Sequence, residues 1–515
     1  MNIKSLKIIT GVFLLTSVLN VGCSDFDEIN TNPDKPSEAT APGLATNLIK
    51  TITSSTVSTR KTFVAPYRQG KYLLFTERKE GIQYNDLGRA NFSDKLTVLR
   101  NVNPMVEYAN ELGQELADSY KALGHFVRAW QFFQLTMLVG DIPYSEAIQG
   151  DQGIIKPVYD SQKDVFIGIL NELDQANTLF AKGANFSGDF IYSGNVDKWR
   201  RLVNSFELYV LMNLHKKVAD TDLDVPNKFN EVAQRPLMRD FSDNFAVTYN
   251  GSKGYCYPWS NTVTDLNSFT QYTMLSATYI DLLKNSQDRR LFYVAEPAEA
   301  LLAQGKVASS FDAYIGVEPS DEYDATLDKK NSKEYSDLNK RYVESATTEP
   351  AGLFCHWDVE FLLAEAAVRG WITDDAQTRY ANGIKSSMNF YSHHVTADFN
   401  HGVTLDEAYI SSYPTTVALT GSVENMIKQI ICQKYMAGFF HNGNQSWFEF
   451  RRTGYPEFVL NPNSNMNPTD NTKFPTRWQY PQNEIDYNTD NLNDAVQRQY
   501  NGSDDFNGIM WILKD

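Results

Sequence analysis

The feature that most constrains this chain is helical periodicity. From Val165 the apolar residues Val165, Ile169, Leu173, Ala176 and Phe180 recur at steps of three and four, one stripe of an amphipathic helix. Ser161-Gln162-Lys163-Asp164 ahead of them has the form of a capping box. A second helix is predicted after Asn195-Val196-Asp197. Trp199, Leu202, Val203, Phe206, Leu208, Tyr209, Val210, Leu211 and Met212 make it apolar nearly all round, so it belongs in an interior. Similar helices are predicted over 117–139, 358–370, 375–391 and 423–440. They fall in close pairs with short connections, the logic of stacked tetratricopeptide-type arrays. No strand–helix alternation is present, which argues against a doubly wound sheet. The expected fold is mostly α, built from paired antiparallel helices.

The first 22 residues read differently. Lys4 and Lys7 precede a short apolar run, residues 8–19, too short to span a bilayer. It fits the apolar core of an export signal. Leu19-Asn20-Val21-Gly22-Cys23 resembles a bacterial lipobox, with Asn20 where an aliphatic residue is usual. The Cys23 thiol is the expected lipidation site, and acyl chains anchor by burying methylenes, about 0.8 kcal/mol each. Ser24-Asp25-Phe26-Asp27-Glu28 follows as an acidic tether, in the form that sends some lipoproteins to the outer face of the outer membrane. No other segment reaches the roughly 20 apolar residues a membrane helix needs.

The 515 residues suffice for a large core, and the formal net charge is −16. Loss of the signal removes Lys4 and Lys7 and leaves −18. Nucleic acid and anionic lipid surfaces are poor partners for that charge. Cys256, Cys355 and Cys432 are odd in number and widely spaced, which argues against a disulfide framework or a zinc site. No cofactor is expected.

The expected organisation is a signal peptide at 1–22, a lipidated tether at 23–40 and an N-terminal helical part at 41–249. A loop-rich insertion at 250–350, C-terminal helix pairs at 351–460 and a C-terminal wrap at 461–515 complete it. Long ordered loops on a rigid scaffold carry binding, so the insertion is the expected ligand site. Within it, Tyr255-Cys256-Tyr257-Pro258-Trp259 presents Tyr255, Tyr257 and Trp259 on one side if extended. Pro258 biases Tyr257 toward an extended backbone. Such a platform stacks on the apolar face of a sugar; alternatively its rings plug the insertion onto the helical body. Arg78 and Tyr84, in the early loop 78–86, and Tyr314 are further candidate ligand contacts.

Other chemistry is poorly supported. Asp358, Glu360 and Glu365 lie on one predicted helix, but Glu360 and Glu365 are five apart and do not share a face. Glycoside hydrolysis needs two carboxyls facing each other across the sugar. His393-His394 and His401 read as loop residues without a metal-ligand partner. Asp220-Thr221-Asp222-Leu223-Asp224 echoes a calcium loop, but Val225 stands where the turn requires Gly.

Several stretches together resemble the SusD/RagB nutrient-binding lipoproteins. They are Gly140-Asp141-Ile142-Pro143-Tyr144, Trp199-Arg200-Arg201-Leu202-Val203-Asn204-Ser205 and Gln287-Asp288-Arg289-Arg290, the last with Arg289 in place of a Pro. Phe361-Leu362-Leu363-Ala364-Glu365-Ala366-Ala367, Gln433-Lys434-Tyr435, Trp447-Phe448-Glu449-Phe450-Arg451-Arg452 and Arg477-Trp478-Gln479-Tyr480-Pro481 continue the series, ending at Trp511. Their order covers nearly the whole mature chain. The resemblance implies a mostly α fold with about four tetratricopeptide-like helix pairs forming a superhelical scaffold, and a surface-exposed outer-membrane lipoprotein without enzymatic activity. It would bind a nutrient oligomer, a glycan or else a peptide, and act as a lid over a SusC-like TonB-dependent transporter. It also implies that Trp199, Asn204, Glu365 and Arg451 serve packing or buried polar networks. An all-α glycoside hydrolase, or a purely structural lid, are the competing readings.

Overall fold

The computed structural model describes residues 39–54, 60–81, 83, 87–260 and 272–515. Cys23, the export signal and most of the tether lie outside the described residues, as does Tyr84. The helices that carry the argument are α1 (Ala41–Ile52), α2 (Arg60–Gln69), α3 (Val102–Ala109), α4 (Gln114–Val139), α5 (Gln162–Phe180), α6 (Val196–Asn213) and α7 (Val225–Ala233). After them come α8 (Ala277–Asn285), α9 (His356–Val368), α10 (Ala376–His394), α11 (Glu407–Thr416), α12 (Val423–Ala437), α13 (Gln445–Thr453) and α14 (Thr489–Tyr500). The strands are short: β1 (Leu73–Phe75), β2 (Phe245–Val247), β3 (Thr273–Leu275) and β4 (Ala351–Phe354).

Local chemistry explains where helices begin. Ser161 Oγ accepts the Asp164 amide at 3.2 Å, and Asn195 Oδ1 accepts the Lys198 amide at 3.0 Å. Each cap satisfies a donor that an opening turn leaves orphaned. At Ser161 the Asp164 carboxylate accepts from the serine hydroxyl at 2.6 Å, so the box closes through side chains.

The pairs α4/α5, α6/α7, α9/α10 and α12/α13 form the scaffold, and α6 and α9 lie against each other at its centre. Accordingly every residue of α6 from Leu202 to Asn213 is buried, as is every residue of α9 from His356 to Ala366. The predicted ends differ from the observed ones by at most three residues. For 423–440 the reason is clear: α12 stops at Ala437, and Phe440 takes φ 58°, which no helix tolerates.

The stretch 250–350 is pinned at its base, because β2 and β4, which flank it, pair antiparallel with Phe245 opposite Phe354. It contains regular elements of its own. β3 pairs with β1, setting Leu73 opposite Leu275 and Phe75 opposite Thr273. Alternation along β1 sends Leu73 and Phe75 into the main core and Leu74 to a small second cluster with Met274 and Val317. The C-terminal stretch is tied down by Lys71, whose ammonium donates to the Val459 carbonyl at 2.7 Å and lies 5.6 and 5.1 Å from the rings of Phe458 and Phe474.

Candidate functional site

Residues 250–260 form a tight turn. Gly251 and Gly254 take φ 78° and 86°, which glycine adopts without steric cost. The Tyr255 amide donates to the Ser252 carbonyl at 2.8 Å, and the Asn250 amide to the Tyr255 carbonyl at 3.2 Å. Tyr255 therefore stands out from the tip, 66% exposed.

Tyr257 and Trp259 do not join it. Both are fully buried, which corrects the expectation of a three-ring platform. The cause is backbone geometry: the chain turns at once, with the Ser260 amide donating to the Tyr257 carbonyl at 3.0 Å, so alternate residues do not share a face. Tyr257 packs edge-on against Phe63 of α2 and Tyr249, with centroids 5.6 and 5.5 Å away. Trp259 packs edge-on against Phe75 of β1 at 6.0 Å. Both rings plug the loop onto the body. Tyr314 is also fully buried, its hydroxyl donating to the Ala308 carbonyl at 2.8 Å and its ring set against Phe292. In this conformation none of the three offers a face to a ligand.

The Trp259–Phe75 contact has a second consequence. It ties β1 to the 250–260 turn, and Arg78 lies three residues beyond Phe75. The Arg78 side chain is 67% exposed, 3.8 Å from the Glu80 carboxylate. An exposed pair of that length holds the guanidinium weakly and leaves it available. Lys253, Glu77 and Lys79 are exposed around these two residues, and no pattern in the sequence distinguishes them.

The family-like motifs fall in buried polar networks. The Trp199 indole donates to Asp189 at 2.8 Å, and the Asn204 amide to the Pro236 carbonyl at 2.9 Å. Arg451 donates to the carbonyls of Thr476 and Met137, both at 2.8 Å, tying the C-terminal segment to α4. Glu365 receives Arg452 at 2.6 and 2.7 Å and Arg369 at 2.7 Å. These guanidinia hold its carboxyl below the ordinary range despite its burial. The remaining carboxylates of α9 are engaged as well. Glu360 accepts from Arg379 at 3.1 Å, and Asp358 accepts from the Cys355 amide at 2.8 Å and from Asn442 at 2.7 Å.

His393 and His394 belong to the last turn of α10 rather than to a loop, packed on Phe241 at 5.4 and 6.2 Å. His401 Nε2 lies 3.1 Å from the Ala295 carbonyl. In the calcium-like turn the Lys163 ammonium sits 2.8 Å from both Asp220 and Asp222, occupying the place of a cation.

Comparison with known proteins agrees with this architecture. Residues 33–481 match the SusD-like family described as starch-binding and associating with the outer membrane. A SusD homologue from Bacteroides fragilis NCTC 9343 is 36% identical over 92% of this chain and 100% of its own, with a TM-score of 0.87. An outer membrane protein from Bacteroides vulgatus ATCC 8482, described in terms of nutrient binding, is 32% identical over 92% of this chain and 100% of its own, with a TM-score of 0.80. A chitin-binding protein at 22% identity and a TM-score of 0.73, covering 92% of this chain and 100% of its own, shows the shared fold alone. Comparison with curated protein sequences finds no match. The chain belongs to the SusD-like family of outer-membrane-associated proteins. Among the described residues no helix is long and apolar enough to cross a membrane.

Proposed function

We propose that this protein is a surface lipoprotein, anchored through Cys23, that binds a nutrient oligomer and passes it to a SusC-like TonB-dependent transporter without chemical change. The ligand class favoured is a glycan, in keeping with the starch-binding description of the family. The binding residues proposed are Tyr255 and Arg78, together with Tyr84. The observation that carries this reading is Tyr255, a large ring held out at 66% exposure by a glycine turn, with the exposed Arg78 guanidinium as the second contact proposed. A ring stacks on the apolar face of a sugar while a guanidinium donates to its hydroxyls.

The test is calorimetric titration of the purified protein with neutral oligosaccharides and, in parallel, with peptides. Saturable binding of an oligosaccharide with no product formed is the expected result. Binding of peptides alone would replace the glycan, and turnover abolished by a carboxylate-to-amide change would overturn the non-enzymatic role. Cys23→Ala should abolish acyl incorporation and release the protein from the membrane fraction; retained labelling would refute the anchor.

A further inference from the structure

The two most exposed large apolar side chains among the described residues are Ile155 at 81% and Tyr487 at 74%. They sit on two segments bonded to each other. The Asn488 side-chain amide donates to the Pro157 carbonyl at 2.9 Å, the Asn491 amide to the Lys156 carbonyl at 3.0 Å, and the Tyr159 hydroxyl to Glu484 at 2.9 Å. Val158, also exposed, lies between these ties, its own amide donating to the Glu146 carboxylate at 2.9 Å. Ile155 is bracketed in the same way. The Ile154 amide before it donates to the Gln149 carbonyl at 3.1 Å, and the Lys156 carbonyl after it is the one that Asn491 holds. The backbone of this loop is thus fixed while its apolar side chains remain in water.

Single exposed apolar residues are ordinary on a protein surface, but large ones gathered on neighbouring segments mark a contact surface. Charge on the same two segments says what kind. Asp151, Asp486, Asp490 and Asp494 are exposed. Lys156 opposes them alone, because the other cation of residues 146–160 and 482–498, Arg498, is held by Asp141 at 2.6 Å. An acidic border repels an anionic lipid surface. It also repels its own image, which opposes two copies meeting through this face across a two-fold axis. What fits is a protein surface with an apolar socket edged by lysine and arginine.

We propose that this face, Ile155, Val158 and Tyr487 within an acidic border, is where the transporter grips the protein. The inference rests on the transporter partnership proposed above and adds the place and the chemistry of the contact. Ile155 and Tyr487 are the anchors, and the carboxylates set orientation and speed of encounter. A stable interface buries about 800 Å² per partner, so the two tied segments supply its centre and the adjoining surface supplies the rest.

The test is co-purification of the full-length acylated protein with its transporter from detergent-solubilised membranes. Melting temperature and oligosaccharide affinity are measured on the same variants. Ile155→Asp and Tyr487→Ala should each lower the transporter recovered at least tenfold, with melting and oligosaccharide binding as in the wild type. Asp490→Lys should lower it less, and raising the salt concentration should weaken the wild-type complex. Lys156→Glu, which removes the one opposing cation, should increase recovery, an effect that mere damage to the loop cannot produce. Tyr255→Ala should keep the transporter. Wild-type recovery in both Ile155→Asp and Tyr487→Ala overturns this face and leaves the partnership standing. Failure of the wild type itself to co-purify overturns both. Concentration-dependent dimerisation of the wild type that Ile155→Asp abolishes would give the face to a second copy and overturn the proposal as well.

Discussion

Two aromatic regions of this molecule look alike in sequence and differ in what they do. In α6, Trp199, Phe206 and Tyr209 sit on a helix apolar on every side, and all three are buried. In the 250–260 turn, Tyr255, Tyr257 and Trp259 sit in a loop, yet two of the three are just as buried. The difference lies in the backbone. A helix enclosed by neighbours buries whatever it carries, while a turn sorts its side chains individually, two rings inward as anchors and one outward as a contact. Aromatic content therefore marks the place where the insertion is fastened, and only the exposure of each ring shows which one is free to bind.

The sharpest way to break this comparison is to damage the helical interior next to Tyr209 of α6, where Arg452 lies, and the inner side of the turn. Arg452→Met leaves Glu365 and Glu449 buried without their main partner, and removing one member of a buried pair costs about 3–5 kcal/mol. Thermal melts should show a large loss of stability or failure to fold. Trp259→Ala should approach that loss, since truncating a fully buried Trp costs about 3–5 kcal/mol, although the residue lies in a loop. A Trp259→Ala protein that melts as the wild type does, but loses ligand affinity, would restore the platform and end the anchoring role of this ring.

Much of the fold was legible because helical stripes are local. The runs in α5 and α6 specify their own buried faces, and Ser161 and Asn195 mark their starts. The candidate site was legible only in part. Gly251 and Gly254 announce a turn, but whether Tyr257 points inward depends on Phe63 and Tyr342, which lie far away in sequence. The same holds for Tyr314, whose burial rests on Phe292 and His401. The histidines at the end of α10 read as loop residues because the packing on Phe241 that accompanies the last helical turn is tertiary.

A subtler comparison uses pH. Asp358 is buried, which pushes its carboxyl up to about 7 from an ordinary 3.8, and the nearby Lys434 opposes this only partly. Glu449, Cys355 and Asn442 are the other groups facing it. A carboxyl that holds its proton more tightly folded than unfolded contributes most stability below the unfolded pKa and loses it as pH rises through the folded one. The melting temperature should therefore fall between about pH 4 and pH 7. Asp358→Asn should flatten that slope, because an amide keeps an acceptor for the Cys355 amide and does not titrate. An unchanged slope in Asp358→Asn would assign the dependence to other groups.

The smallest effect on stability, and the most informative, is expected at Tyr255. Its ring is largely in water, so Tyr255→Ala should shift stability by no more than about 0.5 kcal/mol, the ordinary range for surface changes. Tyr257→Ala, two residues away, removes a ring packed on Phe63 and Tyr249 and should cost several times more. Oligosaccharide affinity should show the opposite order. Tyr255→Ala should weaken binding at least tenfold, about 1.4 kcal/mol, while Tyr257→Phe, which keeps the ring and removes only the hydroxyl, should leave it unchanged. Melts and titrations on the same variants thus separate the anchoring ring from the contacting ring. If Tyr255→Ala binds as the wild type does, the exposed ring is surface and no more, and contact with the ligand passes to Arg78 and its loop.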